Sequence, residues 1–299
     1  MNQNQGLKKN QRVIVKYLLF LLYLVFSIVV IFFIYRKTAF GFEDIYSLIV
    51  KNYILFFFTV VLSFITLVIK VYRWRMVINL FFSIRLSFFY LLNLNSLSLI
   101  LNSVGLSMFI TDGLKSGFLV LREEGIRKED IRNRLLIFLS PYMDRIIGSV
   151  AAISMFGIFL LKNYIFLLLF IFALFLLLFY FWKDRVYRVV IGGIILSFFS
   201  HLIDSLSLYL FLVYVLGVNV KFPDWFLAFI VGSFSALISI FGGLGGRTIG
   251  MSFILGENNL KSAFLLDLMY YILQLISAGI GLLTFFIYKI FFSESNNGS

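Results

Sequence analysis

The sequence predicts an all-α polytopic membrane protein with about six full spans and two broken or re-entrant hairpins, up to eight or more helical spans in total. Apolar residues make up 62% of its 299 residues, charged residues only 13%, and the mean hydropathy is +1.02. An ordinary soluble domain has about 25% charged residues and cannot bury so much apolar surface. This composition excludes a soluble enzyme, a disordered chain and a disulfide scaffold, and it makes the bilayer the solvent of the fold.

The predicted full spans are apolar stretches close to the ~20 residues that a membrane helix needs. The first is too long for a signal-peptide core and no small-residue cleavage site follows it, so we expect it to be retained. In chain order the spans are Val13–Tyr35, Asn52–Ile69, Leu135–Leu161, Tyr164–Trp182, Val189–Leu216 and Ala263–Tyr288.

Two further apolar stretches, Leu86–Leu121 and Trp225–Leu255, are interrupted by small and polar residues. The first contains Asp112 with several Asn and Ser residues, and the second contains the run Gly242-Gly243-Leu244-Gly245-Gly246-Arg247. Irregular backbone at membrane depth persists only within protein or around a water-filled cavity. Both stretches are therefore predicted to be buried hairpins.

Basic residues concentrate in alternate connecting segments, which sets the orientation by the positive-inside rule. The N-terminal segment, the segment after the second span, the segment after the first hairpin and the turn after Trp182 are rich in Lys and Arg, and the intervening turns carry fewer. The residues counted after the second span are Lys70, Arg73, Arg75 and Arg85. We expect both termini in the cytoplasm and the protein in the plasma (inner) membrane.

The order of elements predicts two inverted halves within a single transmembrane domain, residues 1–299. Each half, 13–161 and 164–289, contains two helices, a hairpin and a further helix, and the two halves run in opposite senses. Inverted repeats with broken elements in matching positions are typical of transporters that bind their substrate near the midplane. The alternative is an ordinary bundle in which this symmetry is coincidental.

Ionisable residues inside spans and hairpins are candidates for function because each is costly in a bilayer. Asp112 and Lys115 share a helix face, either as part of a site or as a structural ion pair in which Asp112 caps the helix. Asp144 and Arg145 are sequence neighbours that do not face each other on a helix, so we expect them to have separate partners.

The last two spans carry three more such residues. His201 and Asp204 share a face, either as an interhelical hydrogen-bond pair or as a proton-coupling pair. Asp267 lies near the start of the last span, where we expect it to be solvated at the membrane surface.

The cations predict a site for an anionic group such as a phosphate. Lys115 and Arg247 each follow a small-residue segment and are expected to open a helix, whose N-terminus offers free N–H groups and a positive dipole end. Arg145 can add a bidentate contact. The glycines of the second hairpin would let the backbone approach a ligand closely, although small residues also serve helix packing. These glycines are Gly242, Gly243, Gly245 and Gly246.

Three motifs occur in order: Asp112-Gly113-Leu114-Lys115, Met143-Asp144-Arg145-Ile146-Ile147-Gly148 and the glycine run that ends at Arg247. Together they resemble the flippase-like membrane region of lysylphosphatidylglycerol synthases, which also occurs as stand-alone YbhN/AglD-like membrane proteins. The resemblance covers nearly the whole chain.

The chain departs from the family pattern at several positions. Lys115 stands where Arg is usual, Phe241 where Pro is usual and Thr248 where Glu is usual, and the first hairpin lacks the usual Pro-Gly. The soluble aminoacyl-transferase domain of the full synthases has no counterpart in these 299 residues. We therefore expect lipid handling without aminoacyl-lipid synthesis.

The resemblance implies binding and translocation of an anionic lipid, either a phospholipid or a polyprenyl-phosphate-linked glycan. In that function Lys115, Arg145 and Arg247 would hold the phosphate, with Asp112 and Asp144 orienting these cations. The alternatives are a non-transporting scaffold or accessory protein of cell-envelope or glycan assembly, and an intramembrane lipid transferase.

Several partner and cofactor classes are not expected. The chain has no Cys and a single His, which leaves no thiolate site and no two-His metal motif. It has no P-loop for ATP hydrolysis, no transferase motif and no soluble basic module for nucleic acid. We expect no cofactor, and the expected partners are an anionic lipid and envelope-synthesis proteins.

Overall fold

The computed structural model describes residues 42–81, 86–103, 108–122, 131–160, 184–236 and 243–292, together with residues 173, 176 and 177. Within these ranges the chain forms nine α-helices, one short 3₁₀-helix (Glu257–Asn259) and no strand, which confirms the all-helical prediction. The helices are α1 (Phe42–Lys51), α2 (Tyr53–Phe81), α3 (Phe88–Ser103), α4 (Met108–Arg122), α5 (Ile131–Leu160), α6 (Arg185–Tyr214), α7 (Phe222–Ser235), α8 (Gly246–Leu255) and α9 (Leu260–Phe292).

Four of these helices, α2, α5, α6 and α9, are long and apolar enough to cross a membrane. They contain 29, 30, 30 and 33 residues, against the ~20 that a bilayer core of ~30 Å requires. They match four of the six predicted full spans. The predicted span Val13–Tyr35 lies outside the described residues, as does Tyr164–Trp182 apart from the three isolated positions.

Helix α2 continues to Phe81, well past its predicted end at Ile69. Lys70 and Arg73, which were assigned to the segment after this span, therefore lie within the helix, so the predicted boundary was wrong. Arg73 is only 7% exposed. The helix continues because both basic side chains bind carboxylates of other helices inside the protein.

Each predicted hairpin stretch contains two helices that are too short to span. Helices α3 and α4 have 16 and 15 residues, and α7 and α8 have 14 and 10. At 1.5 Å per residue, even α3 reaches only about 24 Å. The connections within the hairpins, residues 104–107 and 237–242, lie outside the described residues.

The hairpins pack between the long helices. Helix α2 packs along α6, while α5 and α9 contact both of them. In the first hairpin α3 packs on α9 and α4 on α5, and in the second α7 packs on α5 and α8 on α9. One apolar cluster lies around Trp225 and Phe226 of α7, and another around Trp74, Leu91 and Leu119 at the first hairpin. Each hairpin therefore has its own apolar core.

Candidate functional site

A cavity of about 270 Å³ lies between the four long helices and the two hairpins. All helices from α2 to α9 contribute to its wall. Small-molecule sites usually measure roughly 300–1,000 Å³, so this cavity suits a head group and not a whole lipid. Five cations lie on its wall: Lys70, Arg73, Lys115, Arg145 and Arg247.

Asp112 of α4 binds two of these cations and is itself 0% exposed. Its Oδ1 lies 3.1 Å from Nζ of Lys115, and its Oδ2 accepts a hydrogen bond from Nε of Arg145 on α5. Lys115 also donates to Oδ1 of Asn95 on α3 at 3.1 Å and lies over the ring of Trp74, 4.5 Å from its centroid. Lys115 and Arg145 thus share one carboxylate.

Helix α4 begins at Met108, so Asp112 and Lys115 are its fifth and eighth residues. The expectation that Lys115 opens a helix was wrong, and so was the alternative in which Asp112 caps one. The helix starts earlier because Met108, Phe109 and Ile110 extend its apolar sequence. The ion pair between the two residues, by contrast, is present.

Asp144 and Arg145 have separate partners, as the sequence predicts. Asp144 accepts two hydrogen bonds from Arg73 of α2, at 2.6 Å from Nε and 2.8 Å from Nη2. The third nitrogen of Arg73 donates to Oγ of Ser197 on α6. Gly148, one turn after Asp144, makes room for the guanidinium, because a Cβ there would lie 3.2 Å from Nη1. Arg73 thus joins α2, α5 and α6.

Asp204 of α6 joins three long helices. Its Oδ2 accepts from Nζ of Lys70 on α2 at 3.0 Å and from the hydroxyl of Tyr270 on α9 at 2.9 Å. His201, one turn earlier on α6, lies on the wall of the same cavity, so the predicted shared face is confirmed. Sequence reasoning missed Lys70 and Arg73 as site residues. Their spacing of three within an apolar stretch was the signal for a shared helix face.

Asp267 of α9 binds the start of α8. Its Oδ1 lies 2.7 Å from Nη1 of Arg247, the second residue of α8. Its Oδ2 accepts from the backbone N–H groups of Gly245 and Thr248 at 2.8 and 3.0 Å, and from the Thr248 hydroxyl at 2.8 Å. Asp267 is 0% exposed, so the expectation of a solvated surface residue was wrong. The helix N-terminus attracts the carboxylate inward.

Arg247 opens α8 as predicted, but the helix N-terminus already binds the Asp267 carboxylate. The predicted free N–H groups at this helix end are therefore occupied by the protein itself. The guanidinium lies over the ring of Tyr270, 4.3 Å from its centroid. Since Tyr270 also donates to Asp204, the second hairpin is linked through α9 to α6 and α2.

The glycine run shapes the turn into α8. Gly243 and Gly245 have φ angles of +92° and +82°, which favour glycine, and Gly246 begins the helix. A Cβ on Gly243 would lie 2.6 Å from Cβ of Ala236 and 2.8 Å from Nη2 of Arg247. The close approach that these glycines allow is therefore made by the protein's own Arg247. Gly242 lies outside the described residues.

The site is a buried charge network around a central cavity. Over the described ranges, no group of three or more His, Asp and Glu residues could hold a metal ion. No protein-family model, curated protein or solved structure matches this chain. The functional proposal therefore rests on this charge network.

Proposed function

We propose that this chain is a flippase-like membrane protein that binds the anionic head group of a lipid in the central cavity and helps it cross the bilayer. One observation supports this most strongly. Among the described residues, the five cations on the wall bind four carboxylates, Asp112, Asp144, Asp204 and Asp267, so these nine side chains carry one formal positive charge in excess. A singly charged phosphate diester would balance it.

The proposed phosphate contacts are Lys115 and Arg145. Both bind the same carboxylate of Asp112, so a phosphate oxygen can replace one of these contacts while the other persists. The side chains of Arg145 and Lys70 are 33% and 32% exposed, and those of Lys115, Arg73 and Arg247 are 9%, 9% and 5% exposed. Lys70, Arg73 and Arg247 each bind a carboxylate of their own. Arg145 is thus the exposed cation that shares its carboxylate, which makes it the proposed first contact for a ligand, with Lys115 beside it on Asp112.

The proposal includes the inverted repeat. When the two halves are exchanged, the contact of α4 with α5 corresponds to that of α8 with α9. In the same way, the contact of α3 with α9 corresponds to that of α7 with α5. The ion pairs correspond as well, since Asp112 of one hairpin binds Arg145 of the next long helix and Arg247 of the other hairpin binds Asp267. Two opposed halves around a central site suit alternating access.

We further propose that the chain belongs with the flippase-like regions of lysylphosphatidylglycerol synthases and their stand-alone YbhN/AglD-like relatives. Its place would be the inner membrane, with both termini in the cytoplasm and with envelope-synthesis proteins as partners. Four helices of spanning length support the membrane part of this proposal. Buried charge around an open cavity favours transport over a scaffold, because a scaffold gains nothing from the cost of burying these charges.

Lipid binding tests the function. Wild type, Arg145→Gln and the control Lys221→Gln would be purified in mild detergent, offered dioleoyl phosphatidylglycerol and examined by native mass spectrometry. Lys221 is exposed and precedes α7 outside the cavity wall, so its variant removes the same charge elsewhere. We expect Arg145→Gln to lose about tenfold or more in affinity, as for a charged hydrogen bond, and the control to match wild type.

Translocation is the second readout. In proteoliposomes, wild type and Lys221→Gln should move a fluorescent phosphatidylglycerol between leaflets faster than Arg145→Gln. Equal binding of bulk lipid by all three proteins, with no difference in translocation, would contradict the proposed function and favour the scaffold.

A further inference from the structure

One wall of the cavity carries uncharged polar side chains. On α3 these are Asn95 and Asn102, with the apolar Leu99 between them, and on α9 they are Tyr270, Gln274 and Ser277, at helical-turn spacing. The two helices pack together, and the hydroxyl of Tyr271 on α9 donates to the Ser103 carbonyl of α3 at 2.9 Å. The two rows therefore lie side by side and present amide and hydroxyl groups to the same space.

Ser277 has a buried hydroxyl without a partner in the part of the chain that the structure describes. The residue is 1% exposed and lies on the cavity wall, and within that part its Oγ has no hydrogen-bond partner. The great majority of buried polar side-chain atoms have a partner. Since the residue lies on the cavity wall beside Gln274, this unpartnered hydroxyl is a candidate contact for a polar ligand of the cavity.

The four carboxylates of the described charge network are all engaged by cations of the protein. Asp112 binds Lys115 and Arg145, and the other three carboxylates each bind one cation: Asp144 binds Arg73, Asp204 binds Lys70 and Asp267 binds Arg247. An ammonium group entering the cavity would lose its hydration and meet an excess of positive charge. A neutral hydroxyl group would meet donors and acceptors instead.

We propose that the cavity selects a phosphate diester whose head group is a neutral polyol, such as a phosphoglycerol or a phosphosugar, and rejects head groups that carry an ammonium. This inference rests on the proposed function. The phosphate would lie at Lys115 and Arg145, and the hydroxyls would bond to Asn102, Gln274 and Ser277.

The test compares three lipids with identical dioleoyl chains. Phosphatidylglycerol has one negative charge and two hydroxyls, phosphatidylmethanol has the same charge and no hydroxyl, and phosphatidylethanolamine adds an ammonium. In native mass spectrometry of wild type we expect phosphatidylglycerol to bind about tenfold more tightly than phosphatidylmethanol, and phosphatidylethanolamine to bind only as bulk lipid.

Variants locate the hydroxyl contacts. Gln274→Met with Ser277→Ala should remove the preference for phosphatidylglycerol and leave phosphatidylmethanol binding within about twofold of wild type. Ser277→Ala alone should reduce the preference without lowering thermal stability, because this hydroxyl has no partner among the described residues. The single variant is the test if the double variant does not fold. Thr284→Val on the same helix is the control, since its hydroxyl bonds only to the Ile280 carbonyl.

The outcomes separate this inference from the proposed function. Equal affinity for phosphatidylglycerol and phosphatidylmethanol would overturn the polyol assignment, and equal affinity for phosphatidylethanolamine would overturn the rejection of ammonium. In both cases the phosphate site would stand if Arg145→Gln still weakened binding. Specific binding of none of the three lipids would overturn the proposed function. Displacement of phosphatidylglycerol by equimolar glycerol 3-phosphate would show that the ligand is the free ester and would overturn the lipid assignment.

Discussion

Asp267 and Arg247 form an ion pair in which both side chains are almost fully buried, with Oδ1 and Nη1 2.7 Å apart. The second carboxylate oxygen completes the hydrogen bonds of the first turn of α8 through the N–H groups of Gly245 and Thr248. One residue of α9 therefore fixes both the charge and the backbone at the start of a hairpin helix. In the first hairpin the charges are reversed, with the acid Asp112 on α4.

Asp267→Asn should lower the free energy of unfolding by about 3–5 kcal/mol, because it leaves the Arg247 charge buried without its counter-ion. The measurement is thermal or denaturant unfolding of the protein in detergent. Asp184→Asn is the control, since Asp184 is an exposed N-cap of α6 and Asn caps helices equally well.

Adding Arg247→Met to Asp267→Asn should restore part of the lost stability, because no unpaired charge then remains. If Asp267→Asn and the control unfold at the same temperature, the ion pair does not hold α8 on α9.

Gly281→Ala should destabilise the contact between α3 and α9 by about 1–3 kcal/mol, since its Cβ would lie 2.2 Å from Oγ of Ser96. Gly279→Ala, two residues earlier on the same helix, meets no atom within 4 Å and should be neutral or stabilising by up to about 1 kcal/mol. Unfolding midpoints of the two variants give the comparison. Ser96→Ala should relieve part of the Gly281→Ala defect, and equal midpoints for both glycine variants would contradict this packing.

Lys70→Met should destabilise the protein more than Asp204→Asn, although both break the same ion pair. The Lys70 side chain is 32% exposed and can stay hydrated alone, whereas that of Asp204 is 4% exposed. Loss of Lys70 leaves a buried carboxylate without its cation, and this should lower the free energy of unfolding by about 1 kcal/mol or more beyond the loss of Asp204. Denaturant unfolding at neutral pH should show this order, and the reverse order would mean that Lys70 is the more deeply buried partner.

Single-cysteine labelling should place the ends of α6 on opposite sides of the membrane. The chain has no cysteine, so each introduced thiol reports alone. Asn219→Cys and Asn258→Cys, exposed residues before and after the second hairpin, should react from one side, and Asp184→Cys from the cytoplasmic side. A membrane-impermeant maleimide on intact cells is the measurement. Labelling of all three from one side would contradict the assignment of α6 as a span.

The sequence alone was sufficient to predict the helical class, four of the long helices and the two short helix pairs. Apolar length and clusters of small residues are local properties, so a single chain displays them directly. The separate partners of Asp144 and Arg145 were predictable for the same reason, because the helical repeat places sequence neighbours on different faces.

The partners themselves were not predictable. Asp144 binds Arg73, 71 residues earlier, and that contact depends on room left by Gly148 and on Ser197 of a third helix. Such pairings follow from packing among helices, which no local pattern encodes. Charge counting also assigned Lys70 and Arg73 to the segment after the second span, because it treats every cation near the end of a span as exposed.

The ion pairs also have a consequence for the insertion of the chain into a membrane during its synthesis. A Lys or Arg at the centre of a membrane helix raises the free energy of insertion by about 2.5–3.5 kcal/mol. Helix α2 contains two such residues, Lys70 and Arg73, in its second half. Asp204 follows Lys70 by 134 residues, so at ~5–20 residues per second the ribosome delivers this counter-charge on the order of ten seconds later. We therefore expect α2 to stay beside water or the insertion machinery until α5 and α6 have been made, and to enter the lipid together with them.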